Sequence, residues 1–157
     1  MASSGPRSEV FTTVLVNERG MVADWPQHRQ RMNDHAVRLR IDLPETGPSV
    51  NVPQSEGRCL ARIGYSPDHG WNVSVRPLQL RNESVDAISV AAPRWNERTN
   101  GTKHGDWTAY KDAAEAAEKV GCDAALLIHE HAVVDADRST PMAVSYTHLR
   151  AHETASD

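Results

Sequence analysis

The pattern of apolar and polar residues predicts a β-strand near the start of the chain, followed by a helix. Residues 9–16 read EVFTTVLV, a run rich in β-branched side chains, and the turn sequence Asn-Glu-Arg-Gly follows it. We therefore expect a hairpin whose second strand begins at Met21. Asp24 is then expected to cap a helix that tolerates Pro26 in its first turn.

Helical spacing continues through the next segment until a loop that is rich in proline and glycine. The residues that recur at this spacing are Met32, His35, Ala36 and Leu39. Pro44 then stops the helix, and the loop that follows covers residues 43–57.

The sequence predicts a second hairpin in the middle of the chain. After it, the sequence predicts one strand, an alanine-rich helix and two further short strands. The hairpin strands are residues 58–65 and 72–75, which flank the turn sequence Ser-Pro-Asp-His-Gly. The later elements are a strand at 87–91, an alanine-rich helix at 108–120 that ends at Gly121, a strand at 124–128, a turn at 129–131 and a strand at 132–134.

A polar, irregular stretch separates the strand-rich part of the chain from the alanine-rich helix. It covers residues 93–106 and contains two glycines. We place a domain boundary at its start, which predicts a small N-terminal domain over residues 1–92 and the beginning of another domain over 93–143. The mixture of strands and helices predicts a mixed α/β (α+β) fold class.

Composition excludes several classes of function. Hydrophobic residues make up 39% and charged residues 24% of the 157 residues, as in soluble globular proteins. The formal charge of -4 comes without a basic patch, so nucleic acid is not an expected partner. Neither a signal peptide nor an apolar run of about 20 residues is present, so we expect a cytoplasmic protein with no membrane span. Cys59 and Cys122 match no metal or redox pattern and are expected to be buried thiols.

The last residues form a separate segment. Residues 144–154 read VSYTHLRAHET, which resembles a translated sequencing adaptor. We therefore treat residues 144–157 as a non-native tail and expect the natural sequence to continue differently after Ala143.

Two motifs in order resemble one enzyme family. Lys103 lies in TKHGDW, ahead of the alanine-rich helix, and DAALLIHEHAVVDADRSTP follows that helix. The earlier segment EVFTTVLVNERGMVADWPQHRQRM is similar to the opening strand, turn and H-x-x-R helix start of the same family. Together the motifs cover most of residues 9–141, and they resemble the fold-type IV pyridoxal-phosphate enzymes, which are the class IV aminotransferases and aminodeoxychorismate lyases.

The resemblance implies a cofactor, pyridoxal 5'-phosphate, and a role for three residues. Lys103 would hold the cofactor covalently and move a proton. Arg31 would bind the phosphate group through its forked guanidinium, although the neighbouring Arg29 competes for that role. Asp135 stands where the family has a glutamate that faces the pyridine nitrogen. Because aspartate is shorter by one methylene, Asp137 is an alternative.

The resemblance also implies a small α/β domain and the opening of a larger, barrel-like domain that is incomplete here. The substrate would be an amino acid and keto acid pair or aminodeoxychorismate, and the full-length protein would be a homodimer. The family's asparagine after the glutamate is replaced by the Arg138-Ser139-Thr140-Pro141 sequence. A non-catalytic protein or inactive fragment that keeps the scaffold is therefore the alternative.

One further group, His129-Glu130-His131, combines residue types that bind metals. Two imidazoles on one face do not close a site, and the family has a hairpin turn at this position. We expect a turn and no metal.

Overall fold

The computed structural model describes residues 5–48, 57–80 and 83–142. A short 3-10 helix at Pro6–Ser8 comes before strand β1 and helix α1. In chain order the elements are β1 (Val10–Val16), α1 (Trp25–Leu39), β2 (Cys59–Ser66), β3 (Gly70–Pro77), β4 (Ala87–Ala91), α2 (Thr108–Lys119), β5 (Ala124–His129) and β6 (Ala132–Ala136). The chain divides into two compact units, one of residues 1–84 and 93–109 and the other of 85–92 and 110–157.

The first unit is an antiparallel sheet covered on one face by α1. The sheet order is β1-β2-β3, and Val10 pairs with Tyr65 while Val16 pairs with Cys59. From Thr12 onward the residues of β1 are alternately buried and partly exposed, because strand side chains point to opposite faces in turn. The apolar core of this unit consists of Val10, Met32, Ala36, Leu39 and Ile41 together with Val14, Val16, Cys59, Ala61 and Ile63.

The second unit is a mixed sheet with α2 packed against it. Strand β4 runs parallel to β5, and β5 runs antiparallel to β6. The contact surface is made of small and aliphatic side chains, which are Ala113, Ala117, Ala125 and Leu127 with Ile88 and Val90. Small residues let the helix backbone approach the strands closely, which explains why this helix is rich in alanine.

The expected hairpin after β1 is much shorter than predicted, and no strand of the described residues begins at Met21. The turn forms, since the Oδ1 atom of Asn17 accepts hydrogen bonds from the backbone N–H groups of Arg19 and Met21. Only one bridge follows, between Val16 and Val22, because α1 begins three residues later. The strand that pairs with β1 along its length is β2.

Asp24 is the N-cap residue of α1, as predicted, but it does not cap the helix through its side chain. Asp24 has a left-handed backbone with φ 50°, and its side chain makes no capping hydrogen bond. Pro26 does lie in the first turn of α1, as predicted. The helix ends where Arg40 takes a left-handed conformation with φ 57°, four residues before Pro44.

The other elements agree with the prediction. Strands β2 and β3 form the second hairpin, and α2 ends before Gly121, which has φ 79°. The turn between β5 and β6 consists of Glu130 and His131, both with positive φ. None of the helices in residues 5–48, 57–80 and 83–142 is long and apolar enough to cross a membrane.

The domain boundary predicted at residue 92 does not coincide with the division of the structure into two compact units. Strand β4 lies with the second unit, whereas the loop over residues 93–107 lies with the first. Lys103 therefore belongs to the same unit as α1. The assignment of two domains in a longer protein stays a prediction, and the expected tail at residues 144–157 lies outside the described residues.

Candidate functional site

The loop that carries Lys103 is held by its backbone at two places in the first unit. The carbonyl of Lys103 accepts a hydrogen bond from the N–H of Phe11 at 3.2 Å, and His104 forms a bridge with Val10. The N–H of Lys103 donates to Nδ1 of His35 at 3.1 Å. The lysine backbone is thus fixed between the start of β1 and the third turn of α1.

The side chain of Lys103 lies beside two aromatic rings. Its Nζ atom is 5.5 Å from the ring centre of Phe11 and 5.4 Å from that of Trp107. The two rings meet edge to face at 5.1 Å. On the same Phe11 ring the guanidinium of Arg62 lies 4.1 Å from the centre. Such distances are favourable for contacts between a cation and a ring face.

The residue after Lys103 anchors the loop in the core. His104 is 1% exposed and packs edge to face against Trp95 at 4.6 Å. Burial is the main reason that the pKa of His104 is lowered, and the nearby Asp106 opposes this shift. Within the described residues the Nδ1 atom of His104 has no hydrogen-bond partner. The imidazole is therefore expected to be neutral and to act as an anchoring side chain.

Arg31 belongs to a partly buried group of three polar side chains between α1 and β1, of which Thr12 is fully buried. Its Nη2 atom donates to Oγ1 of Thr12 at 2.6 Å and lies 3.0 Å from Nδ1 of His28. Oγ1 of Thr12 lies 2.9 Å from the same Nδ1 atom. The Nε atom of Arg31 is buried and has no hydrogen-bond partner in the part of the chain that the structure describes. This leaves one buried N–H that an anion could accept from.

Positive charge accumulates around this group. The pKa of His28 is lowered by burial and then by Arg31 and Lys103, with Asp24 opposing. Both imidazoles of α1 near Lys103 therefore favour the neutral form near pH 7, because the pKa of His35 is lowered in the same way. Arg31 lies one helical turn before His35, which binds the Lys103 backbone, so Arg31 and the Lys103 loop meet the same face of α1, and two cations there suit an anion.

Arg29 has different contacts from Arg31, although its Nη1 atom is also buried without a hydrogen-bond partner among the described residues. It donates to the carbonyl of Pro44, and its guanidinium lies 5.4 Å from the ring centre of Trp71. Arg29 therefore ties the loop after α1 to the helix. The two neighbouring arginines point to different surroundings.

Asp135 and Asp137 lie in the second unit, on and just after β6. The hydroxyl of Tyr110 donates to Oδ2 of Asp135 at 3.1 Å, and the N–H of Ala136 donates to Oδ1 at 2.9 Å. Burial, followed by the charge and hydrogen bond of Asp135, raises the pKa of Tyr110 to about 12. Asp137 is 7% exposed, and its Oδ1 atom accepts from the N–H of Ala125 at 3.3 Å. Asp137 is thus engaged in holding β5, whereas Asp135 is half-buried and meets a side-chain donor.

Sequence reasoning did not identify three residues that contact the predicted ones, namely Thr12, His35 and Tyr110. Two of them carried a signal. Thr12 is a polar residue on the valine face of β1, and His35 is a titratable residue in the apolar stripe of α1. A polar side chain at a buried position needs a partner, which is a reason to look for one.

Solved structures similar to this chain share one architecture. A candidate 4-amino-4-deoxychorismate lyase matches 88% of the chain with a TM-score of 0.67 and 21% identity. A hypothetical aminotransferase from Mycobacterium tuberculosis matches 84% with a TM-score of 0.65 and 20% identity. A fold IV-transaminase from Curtobacterium pusillum matches 83% with a TM-score of 0.63 and 15% identity. The chain has the fold-type IV fold.

The mixed α/β fold class and the structural resemblance predicted from the sequence are thus confirmed. The chain spans 63%, 56% and 54% of the lengths of these three proteins. No protein-family model matches the chain, and no curated protein sequence matches it either. At these identities the likeness concerns the fold, and activity is a matter for proposal.

Proposed function

We propose that this chain carries part of a pyridoxal 5'-phosphate site, and that the protein is a class IV aminotransferase or an aminodeoxychorismate lyase. The observation that carries the proposal is the buried, unpartnered Nε atom of Arg31 beside Thr12 and His28, in an environment shared with Lys103. A phosphate dianion would supply the missing acceptor. The donors present therefore fit the phosphate group of this cofactor.

Arg31 and Lys103 have different roles in the proposed site. Arg31 binds the phosphate as a rigid fork whose position is set by Thr12. Lys103 holds the cofactor through Nζ and, when released, carries a proton at that atom. The bound cofactor supplies an electron-withdrawing ring that stabilises negative charge on the substrate carbon. Phe11 and Trp107 lie beside the amine and limit the directions from which a ligand can approach it.

Asp135 is the residue that we assign to the pyridine nitrogen of the cofactor. Its carboxylate accepts hydrogen bonds from the Tyr110 hydroxyl and from the backbone N–H of Ala136, and these two donors fix its orientation. Asp137 is less suited because its side chain is buried, whereas that of Asp135 is only partly buried and can be reached by a ligand. A carboxylate at the ring nitrogen would favour the protonated ring.

The choice between the two chemistries depends on the substrate. One similar structure is a candidate lyase and two are aminotransferases. Both reactions begin with removal of a proton by the same lysine, so Lys103 cannot distinguish them. The proposed partners are an amino acid and keto acid pair or aminodeoxychorismate, with a cytoplasmic homodimer as the proposed assembly.

Covalent trapping tests the proposal. The protein is incubated with pyridoxal 5'-phosphate, reduced with borohydride and mapped by peptide mass spectrometry. We expect the label on the peptide that contains Lys103 and its loss in Lys103→Ala. Lys111→Ala is the matched control, because this lysine is exposed on α2. A parallel incubation with pyridoxal, which lacks the phosphate, is expected to give much less label.

The remaining outcomes distinguish a pyridoxal-phosphate enzyme from a non-catalytic protein with the same fold. A label on other lysines alone, or none at saturating cofactor, would leave a non-catalytic scaffold or inactive fragment as the function. Arg31→Ala is expected to abolish the preference for the phosphorylated aldehyde. If the preference persisted in Arg31→Ala, the phosphate would bind elsewhere.

A further inference from the structure

Helix α1 connects the anion-binding group with the lysine loop through one side chain. Arg31 and His35 are four residues apart, so they lie on the same face of α1 in consecutive turns. Arg31 reaches Thr12 of β1, and His35 reaches the backbone of Lys103. We propose that His35 is a positioning residue, whose Nδ1 atom fixes the Lys103 backbone so that the amine is presented beside the group that holds the anion.

The hydrogen bond sets the chemical state of His35. A backbone N–H can only donate, so Nδ1 must carry a lone pair and the ring proton must be on Nε2. The bond therefore needs the neutral imidazole in this tautomer. A protonated imidazole has no acceptor atom and would release the Lys103 N–H.

The surroundings of His35 favour this neutral form. The pKa of His35 is lowered by burial, then by the positive charges of Arg31, Arg38 and Lys103, while Asp34 opposes the shift. The hydrogen bond is thus expected to persist at neutral pH and to be lost in acid.

The position of the Lys103 backbone has a direct consequence for its side chain. The carbonyl of Lys103 is held by Phe11 and its N–H by His35, so the peptide planes on both sides of the residue are restrained. Reactive groups that are displaced by about 1 Å lose much of their rate, whereas charge recognition tolerates such a shift. His35 should therefore affect the reaction of Lys103 with an aldehyde more than the binding of phosphate.

This inference rests on the proposed function for its chemical meaning, but its central contact can be tested without a cofactor. Amide hydrogen exchange is measured at Lys103 in the wild-type chain and in three variants. His35→Ala removes the acceptor, His35→Asn replaces Nδ1 by an amide oxygen, and His69→Ala makes the same truncation in the exposed turn between β2 and β3. We expect about tenfold faster exchange in His35→Ala, near-normal exchange in His35→Asn and no change in His69→Ala.

A second measurement connects the contact with function. The initial rate at which pyridoxal 5'-phosphate labels Lys103 under borohydride should fall severalfold in His35→Ala and recover in His35→Asn. The affinity for inorganic phosphate should stay within about twofold of wild type in both variants, because Arg31 is untouched. If His35→Ala does not fold, the comparison of His35→Asn with wild type between pH 7.5 and 5.5 replaces it. On acidification the protection factor of the Lys103 amide, which is its intrinsic exchange rate divided by the measured rate, should then fall in the wild type only.

The outcomes separate this inference from the proposed function. Equal protection of the Lys103 amide in wild type and His35→Ala overturns the inference, as does a loss of protection on acidification that is the same in His35→Asn. If the exchange pattern is as expected but Lys103 is never labelled, His35 still positions the loop and the cofactor site is wrong. If Lys103 is labelled equally fast in every variant, the site stands and His35 has no positioning role.

Discussion

The hydroxyl of Thr12 accepts a hydrogen bond from Arg31 at 2.6 Å, and it does so on a strand face that is otherwise made of valines. Thr12 is fully buried, so loss of its oxygen would leave the partly buried guanidinium of Arg31 without this partner. The valine side chain has nearly the same shape and lacks the hydroxyl. Thr12→Val is therefore a sharp test of whether this contact matters.

We expect Thr12→Val to lower the free energy of unfolding by about 1.5–3 kcal/mol, the range for hydrogen bonds to charged groups. Urea denaturation followed by circular dichroism measures the change. Thr13→Val is the matched control, because Thr13 lies on the opposite face of the same strand and is only partly buried. Similar stability of the two variants would show that Arg31 does not depend on Thr12.

Stability should decrease as the pH falls below about 6.5, the usual pKa of histidine. The pKa values of His28, His35 and His104 are all lowered in the folded chain, chiefly by burial. The unfolded chain takes up protons at these side chains first, so between the two sets of pKa values it binds more protons than the folded chain. The three histidines therefore contribute fully to the free energy of unfolding above about pH 6.5. This contribution is lost as the pH falls from about 6.5 to their lowered pKa values in the folded chain.

Melting temperatures at pH 7.5 and 5.5 measure this dependence. His35→Asn cannot titrate in this range, so its melting temperature should fall less on acidification than that of the wild type. His69→Ala, in an exposed turn, should behave as the wild type does. A wild-type melting temperature that is independent of pH over this range would contradict the lowered pKa values of the three histidines.

Tyr110 provides a test of the second unit. Its pKa is raised to about 12 by burial and then by the charge and hydrogen bond of Asp135. Asp135→Asn removes the charge but keeps an oxygen that can accept, so the pKa should fall toward its usual value of about 10 while burial keeps it above that value. Tyrosinate absorbance at pH 11 should therefore be higher in the variant.

The titration requires a background that contains one tyrosine. Tyr65→Phe and Tyr146→Phe leave Tyr110 as the only tyrosine of the three in the sequence. Asp112→Asn is the control, since this carboxylate is exposed on the helix that carries Tyr110. If Asp112→Asn shifted the titration as much as Asp135→Asn, the contact between Tyr110 and Asp135 would not be its cause.

Local signals in the sequence predicted most of the elements, and they failed where distant segments decide the pairing. Strands β2 and β3 are joined by a short turn, so alternation and turn residues were enough to predict them. The turn after β1 carried a similar signal, yet β1 pairs with β2, more than 40 residues further along. Pairing with β2 completes the sheet whose inner face α1 covers, and no local pattern shows that.

The candidate site was predictable in its motif residues but not in their partners. Lys103 and Arg31 were chosen by resemblance, and their roles stay predictions. The structure places both in the first unit, where His35 and Thr12 contact them. These contacts join residues 68 and 19 positions apart, so they depend on how α1 packs against β1 and the lysine loop. Helical and strand periodicity cannot supply that information.

Gly105 controls how closely the lysine loop approaches the start of β1. Its N–H donates to the carbonyl of Pro6 at 3.3 Å. A Cβ atom at this position would lie 1.9 Å from Oγ of Ser8 and 2.9 Å from the backbone nitrogen of Glu9. The Ser8 side chain can rotate away, but the Glu9 nitrogen leads directly into β1 and cannot. Gly105→Ala must therefore shift the loop or the strand.

We expect Gly105→Ala to destabilise the fold by about 1–3 kcal/mol, as overpacking usually does. Gly47→Ala is the matched control, because its Cβ would meet only Trp25, at 3.4 Å, and loss of glycine flexibility in the unfolded chain would offset the contact. The double variant Ser8→Gly with Gly105→Ala should recover part of the loss and no more, since the Glu9 nitrogen remains in the way. Complete recovery in urea denaturation would show that Ser8 alone sets the limit, and that the backbone of β1 leaves room for a side chain beside the lysine loop.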